Sequence, residues 1–115
     1  MPHHDDAVRL RQILDHAREA SHLVKQRVRA DLDQDRVLSL ALVQLCQIVG
    51  EAASRVSALQ RQQHPGVPWA QIIALRNRLI HGYDSIDLDI LWQILKGDLP
   101  PLITALGNIL SPKNP

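Results

Sequence analysis

Residues 76–83, Arg-Asn-Arg-Leu-Ile-His-Gly-Tyr, concentrate the side chains of this chain that are best suited to chemistry. They follow an apolar run, and polar groups this close to a core are costly to bury unless they are paired. Arg76 and Arg78 offer planar, permanent cations that suit phosphate. His81 can donate or accept a proton near neutral pH. The segment is therefore suited to phosphodiester chemistry.

Cleavage of RNA needs a base that removes a proton from a 2′-hydroxyl and an acid that protonates the leaving 5′-oxygen. His81 suits either role, and Arg76 would stabilise the charge that develops on the phosphoryl oxygens. This scheme requires no metal ion, which fits a chain without an obvious cluster of carboxylate or histidine ligands. The sequence therefore predicts neither a metal nor a cofactor.

A plainer interpretation of the same residues is favoured by spacing alone, because short motifs often match by chance. In that interpretation Arg76, Asn77 and Arg78 are ordinary surface residues. His81 is then a cation at the C-terminus of a helix, where the helix dipole favours it. Tyr83 is a buried ring whose hydroxyl bonds a carbonyl group.

Glu51 is a further candidate because it lies on an otherwise apolar helix. If Glu51 is buried, it would pair with Arg76 or Arg78 and order the site. If it is exposed, it would be an ordinary helix glutamate. The sequence leaves both interpretations open. The preceding Gly50 costs roughly 1 kcal/mol in a helix relative to alanine. Its presence predicts that another helix approaches closely at this point.

The composition of the chain limits what kind of protein these candidate residues can belong to. The 115 residues predict one domain over 1–115, with loose tails at 1–5 and 111–115, and a hydrophobic content of 45% indicates a globular chain. A net charge of +1 means that any nucleic-acid site must be a local cluster, and the basic residues of the first helix are interpreted as a solvated face. A single cysteine, Cys46, and the absence of a signal-like or membrane-length apolar stretch predict a cytoplasmic protein without a membrane partner.

Apolar residues spaced three and four apart predict an all-α fold, an antiparallel helical bundle of about five helices. The predicted helices cover residues 6–30, 35–61, 69–81, 88–96 and 99–110. Asp35 and Asp87 are predicted to cap the helices that follow them. Gly82 is predicted to end the third helix, and Gly97 to break the chain between the last two. No alternating pattern predicts a strand.

Four segments together resemble the HepT-type proteins of the HEPN superfamily. They are residues 48–53, residues 67–73 at the start of the third predicted helix, residues 76–83 and residues 91–100. Residues 76–83 match the family's Arg-x-x-x-x-His-x-Tyr motif. The motif alone is moderately specific, whereas the four segments in this order are highly specific. The resemblance extends from the first helix to Leu110.

The resemblance implies a dimeric toxin of a type VII-like toxin–antitoxin pair that cleaves RNA without a metal ion. Arg76 and His81 would be the catalytic pair, Asn77 would help to position them, and Arg78 and Glu51 would support the site. The implied partner is an MntA-like nucleotidyltransferase antitoxin that transfers AMP onto Tyr83. The added bulk and negative charge would block RNA. The alternative is a non-catalytic helical module that binds a nucleotide or the partner protein.

Overall fold

The computed structural model describes residues 4–81 and 85–111. The α-helices are α1 (His4–Leu23), α2 (Asp31–Gln34), α3 (Arg36–Ser54), α4 (Ala58–Gln63), α5 (Trp69–Ile73), α6 (Leu75–Leu79), α7 (Leu88–Gln93) and α8 (Leu99–Leu110). A π-helical turn, Ile94–Asp98, joins α7 to α8. Two short strands, β1 (Ile80–His81) and β2 (Ser85–Ile86), pair antiparallel. The predicted all-α class is confirmed.

The core is built around α3, which packs against α1, α5 and α6, while α8 covers α1. The buried residues of α3 recur at steps of three and four, so that one face of the helix lies inside the fold. Leu42, Cys46 and Val49 on this face are completely buried. Facing them, the buried residues of α1 follow the same spacing. Leucine, isoleucine, valine and alanine therefore supply the packing between helices.

By length and composition alone, an 18-residue window of α3 is also apolar enough to cross a membrane. The expectation that no stretch of the chain would do so was wrong. More than half of that window, 56%, is buried inside the fold. A helix at the centre of a small core needs an apolar composition for its packing. The apolar composition of α3 is therefore weak evidence for a membrane span.

The first predicted helix is shorter in the structure than expected. Helix α1 ends at Leu23 rather than at residue 30, and Val28, inside the predicted helix, is 63% exposed. Residues 31–34, which lie between the first two predicted helices, form α2. The predicted cap at Asp35 is confirmed, because its carboxylate accepts a hydrogen bond from the Leu38 N–H at 3.0 Å.

The second predicted helix is divided into α3 and α4, since Ser57 starts a new helix. Its hydroxyl accepts from the Gln60 N–H at 3.2 Å. The carboxylate of Asp6 on α1 in turn accepts from the N–H and the hydroxyl of Ser57, at 2.9 and 2.7 Å. Leu59, inside the second predicted helix, is 66% exposed. A contact from a distant helix thus ends the pattern that the sequence suggested.

The third predicted helix is interrupted at Ala74 and ends at Leu79 instead of residue 81. Beyond Leu79 the backbone is extended, and Ile80 and His81 pair with Ile86 and Ser85. At the base of this pair of strands, the Asp87 N–H donates to the Leu79 carbonyl at 2.9 Å. Asn77 and His81 therefore do not share the face of one helix, and the predicted end at Gly82 lies outside the described residues.

The last two predicted helices follow each other without a break. Asp87 caps α7 as predicted, accepting from the Ile90 N–H at 3.0 Å. Gly97, predicted to be a helix breaker, lies inside the π turn, which leads directly into α8. A single helical segment with one wider turn thus runs along the edge of the bundle.

Candidate functional site

Gly50 determines how closely the segment that carries the motif approaches α3. A Cβ atom at this position would lie 3.1 Å from the carbonyl oxygen of Ile72 on α5 and 3.6 Å from the Cβ of Leu75 on α6. The predicted close approach is confirmed. Because α6 follows α5 directly, this contact places Arg76 beside the turn of α3 that carries Glu51.

Helix α6 presents two different surfaces. Leu75 and Leu79, one turn apart, are completely buried and hold the helix to the core. Arg76 and Asn77 are exposed, and Arg78 is half-buried. The polar residues of the motif are thus distributed around a short helix whose apolar side anchors it.

Arg78 faces inward, towards the last helix. Its Nη1 donates to Oδ2 of Asp98 at 2.5 Å, and the two side chains are only 30% and 24% exposed. Both charges also act on the neighbouring Cys46. Burial raises the pKa of this thiol to about 12, Arg78 opposes the shift and Asp98 adds to it. Arg78 therefore has a partner within the fold.

Arg76 faces outward, into an open groove of about 440 Å³. Among the residues that the structure describes, it forms no hydrogen bond or ion pair. The groove lies between α1, α3 and α6, and its described lining consists of Arg9, Gln12, Gln44, Gln47, Ile48, Glu51, Ala52, Arg55 and Arg76. A guanidinium that no described residue neutralises can meet an anionic ligand at such a surface.

Glu51 is exposed rather than buried, which excludes its interpretation as a buried partner of Arg76 or Arg78. Its carboxylate accepts from Nε of Arg55, one turn later, at 3.0 Å, and the two side chains are 65% and 57% exposed. The alternative of an exposed helix glutamate is the correct one. Glu51 nevertheless lines the same groove as Arg76.

The structure describes the remaining motif residues only in part. The backbone of His81 lies in β1 opposite Ser85, and Tyr83 lies outside the described residues. Asn77 is exposed on α6 but is not in the described lining of the groove. Within residues 4–81 and 85–111 no group of three or more histidine, cysteine, aspartate or glutamate residues is placed to hold a metal ion. Catalysis without a metal stays a prediction.

Two arginines of the groove, Arg9 and Arg55, were not predicted to be site residues from the sequence. Arg9 lies on α1 and its Nη1 donates to Oε1 of Gln12 at 3.1 Å. It was counted with the solvated basic face of the first helix. A signal for both was present, since Arg9 and Gln12 are three apart and Glu51 and Arg55 are four apart, and such pairs share a helix face. That the two faces meet at Arg76 depends on tertiary packing.

Comparisons with known proteins agree on one family. The family model described as Ribonuclease HepT-like matches residues 13–109. A protein named as a candidate RNase from Methanocaldococcus jannaschii is 32% identical over 93 residues, which is 81% of this chain and 85% of that protein. A similarly named protein from Caldanaerobacter subterraneus subsp. tengcongensis is 31% identical over 104 residues, 87% of this chain and 93% of that protein. A candidate ribonuclease HepT from Thermococcus cleftensis is 32% identical over 68 residues, 59% of this chain and 62% of that protein. No solved structure matches significantly.

Proposed function

Because this chain belongs to the HepT-like ribonuclease family, we propose that it is the endoribonuclease toxin of a type VII-like toxin–antitoxin system. One observation carries the proposal. Arg76 lies exposed at a polar groove, five residues before His81, and no partner among the described residues neutralises it. A free guanidinium so placed is suited to an RNA phosphate.

In the proposed reaction the imidazole of His81 removes the proton of a 2′-hydroxyl, and the 2′-oxygen attacks the adjacent phosphorus. The bond from phosphorus to the 5′-oxygen breaks, and a general acid protonates that oxygen. The products are a 2′,3′-cyclic phosphate and a 5′-hydroxyl end. Arg76 stabilises the charge on the phosphoryl oxygens in the transition state, Asn77 helps to position the pair, and no metal ion takes part.

A homodimer is part of the proposal, and an exposed apolar stripe on α3 supports it. Val37 is 79% exposed and Leu40 is 45% exposed, and Ala41 beside them is exposed as well. Steps of three and then four residues continue this face of α3 from Ala41 to Gln44 and Ile48 in the groove. A second copy on the stripe would border the groove and bring a second His81 near it, so that one imidazole is available as base and one as acid.

Regulation by the antitoxin completes the proposal. An MntA-like nucleotidyltransferase would transfer AMP from ATP onto Tyr83, two residues after His81 in the chain, with both proteins in the cytoplasm. A phosphodiester at this position adds negative charge and bulk close to the catalytic pair, which excludes RNA phosphate. Co-expression with such an enzyme should raise the mass of this chain by one or more AMP units. A Tyr83→Phe variant should show no such increase.

Cleavage of labelled RNA by the purified protein in EDTA tests the activity. The wild-type protein and Arg11→Ala should cut, because Arg11 lies on α1 in an exposed pair with Asp15. Arg76→Ala and His81→Ala should each slow cleavage by at least about 100-fold. Full activity of His81→Ala would remove this residue from the mechanism. Loss of wild-type cleavage in EDTA, restored by a divalent metal, would refute a metal-independent reaction.

A non-catalytic binding module is the second candidate, and the size of the groove favours it. A volume of about 440 Å³ lies within the range of small-molecule sites, and the groove could hold a nucleotide without cleaving RNA. Expression of this chain alone separates the two functions. Growth arrest that requires both Arg76 and His81 supports catalysis, whereas arrest by a variant that lacks both supports binding.

A further inference from the structure

Three helices each bring one arginine to the same groove. Arg9 comes from α1, Arg55 from the residue that caps the C-terminus of α3, and Arg76 from α6. These positions are far apart in sequence, so their meeting is a property of the fold. Arg9 is half-buried and Arg55 is exposed.

Local carboxylates do not balance these cations. Three positive charges against the single negative charge of Glu51 leave +2 on the described lining, whereas the whole chain carries only +1. Arg55 has Glu51 as a partner, Arg9 has only the neutral amide of Gln12, and Arg76 has neither among the described residues.

Several arginines elsewhere in the described chain have carboxylate partners. Arg27 lies 3.7 Å from a carboxylate oxygen of Asp35. Arg29 contacts two carboxylates, at 2.8 and 2.9 Å. Arg78 has Asp98. Arg18, Arg36 and Arg61 lack a carboxylate partner among the described residues, but only the groove is shown to combine three arginines with a single carboxylate. A polyanion is therefore favoured there.

We propose that Arg9 and Arg55 are positioning residues that bind backbone phosphates of single-stranded RNA beyond the scissile one at Arg76. The inference rests on the proposed ribonuclease function and extends it from a dinucleotide to a segment of several nucleotides. Gln12, Gln44 and Gln47 also line the groove, and their amides can bond sugar and base edges. No aromatic side chain is in the described lining, so binding should be largely electrostatic and weakly sequence-dependent.

Binding of a fluorescent 2′-O-methyl RNA 12-mer tests the proposal without any cleavage, because this RNA lacks the attacking hydroxyl. Arg9→Ala and Arg55→Ala should each weaken binding roughly five- to tenfold at low salt. Each should also reduce the slope of log K against log salt by about 0.7, the value for one phosphate contact with a single strand. Arg9→Lys should retain the slope, because it keeps the charge. Glu51→Gln should strengthen binding a few-fold, because it frees Arg55.

Two variants serve as matched controls. Arg11→Ala removes the same charge from α1, and Arg27→Ala removes an exposed arginine that is also paired with a carboxylate. Both should change affinity less than twofold and leave the salt slope unaltered. Equal slopes in groove and control variants would overturn the proposal, as would absence of RNA binding by the wild-type protein. Loss of antitoxin binding by the groove variants, with RNA binding intact, would assign the groove to the protein partner.

Cleavage separates this inference from the proposed function. If Arg9→Ala and Arg55→Ala raise the KM for a 12-mer but not for a dinucleotide, and leave kcat unchanged, the groove positions RNA for catalysis. If the wild-type protein binds RNA through these residues yet does not cut it, the phosphate-binding groove stands and the ribonuclease function fails. If the wild-type protein cuts and neither variant alters the KM for the 12-mer, only the inference fails.

Discussion

Arg78 and Asp98 join α6 to the end of the π turn through a hydrogen bond that spans 20 residues of sequence. Both side chains are mostly shielded from solvent. Arg76, two residues earlier, is instead exposed in the groove. The two arginines of the motif therefore have separate roles, since one holds α6 against the bundle and the other is available to a ligand.

Loss of this pair should destabilise the protein. Asp98→Ala leaves the Arg78 cation half-buried without its partner, and we expect the free energy of unfolding in urea to fall by about 2 kcal/mol. Asp15→Ala removes an exposed pair with a separation of 4.0 Å and should cost less than about 0.5 kcal/mol. The double variant Arg78→Ala/Asp98→Ala should lose less than the sum of the two single changes. Equal effects of Asp98→Ala and Asp15→Ala would contradict a structural role for the pair.

Gly50 and Gly107 should respond in opposite ways to alanine. A Cβ at Gly107 on α8 would meet Arg18 Nη2 at an ordinary 3.7 Å, so Gly107→Ala should gain up to about 1 kcal/mol of helix propensity. At Gly50 the nearest atom is the backbone oxygen of Ile72 at 3.1 Å, and a backbone atom cannot move aside as a side chain can. Gly50→Ala should gain nothing or lose stability in thermal unfolding. A gain in stability equal to that of Gly107→Ala would show that the backbone of α5 can shift away from the added Cβ at little cost.

Stability should fall at alkaline pH because of Cys46. Burial raises the pKa of its thiol to about 12 in the folded state, so between about pH 9 and 12 the unfolded chain loses this proton and the folded chain keeps it. The free energy of unfolding should therefore decrease as pH rises, by up to about 1.4 kcal/mol per unit from this group. Urea unfolding at pH 8, 9 and 10 should show a shallower decline for Cys46→Ala. Identical slopes would mean that the thiol ionises in the fold.

Charge on the α3 stripe should disrupt the proposed dimer. Val37→Glu or Leu40→Glu places a carboxylate on the most exposed apolar residues of α3, and sedimentation should then show monomers, with RNA cleavage reduced. Val28→Glu is the matched control, since Val28 is 63% exposed in the segment between α1 and α2. It should leave the sedimentation coefficient unchanged. A monomeric wild-type protein at micromolar concentration would exclude the dimer.

Local signals in the sequence were sufficient for much of this architecture. The caps at Asp35 and Asp87 and the close approach at Gly50 depend on neighbouring residues or on one helix face, and all were predicted correctly. Helical spacing also predicted the buried face of α3 from Leu38 to Ala53, but Val37 and Ala41, which it assigned to the same face, are exposed. The end of α6 at Leu79 depends on pairing with β2, and two-residue strands are too short to show an alternating pattern. Helix-forming residues continue past that point, so the predicted helix ran too far.

Sequence reasoning named individual residues of the candidate site but did not predict which of them meet in the folded chain. Arg76 and Glu51 were named from the sequence and share the groove, but the pairing of Glu51 with Arg55 rather than a motif arginine was missed. Helical spacing makes that partner available, yet burial decides whether the glutamate turns outward, and burial is a tertiary property. Arg9 likewise reached the site through the packing of α1 on α3. No spacing within one helix predicts such a meeting.

The π turn that ends at Asp98 accommodates one residue more than an α-helical turn over the same length. A residue added to a helix rotates everything after it by about 100°. Deleting Gly97 would allow an uninterrupted α-helix and would at the same time carry Asp98 out of reach of Arg78. The hydrogen bond between Arg78 and Asp98, which helps to hold α6 in place, thus depends on the one extra residue in a helical turn that is distant in sequence.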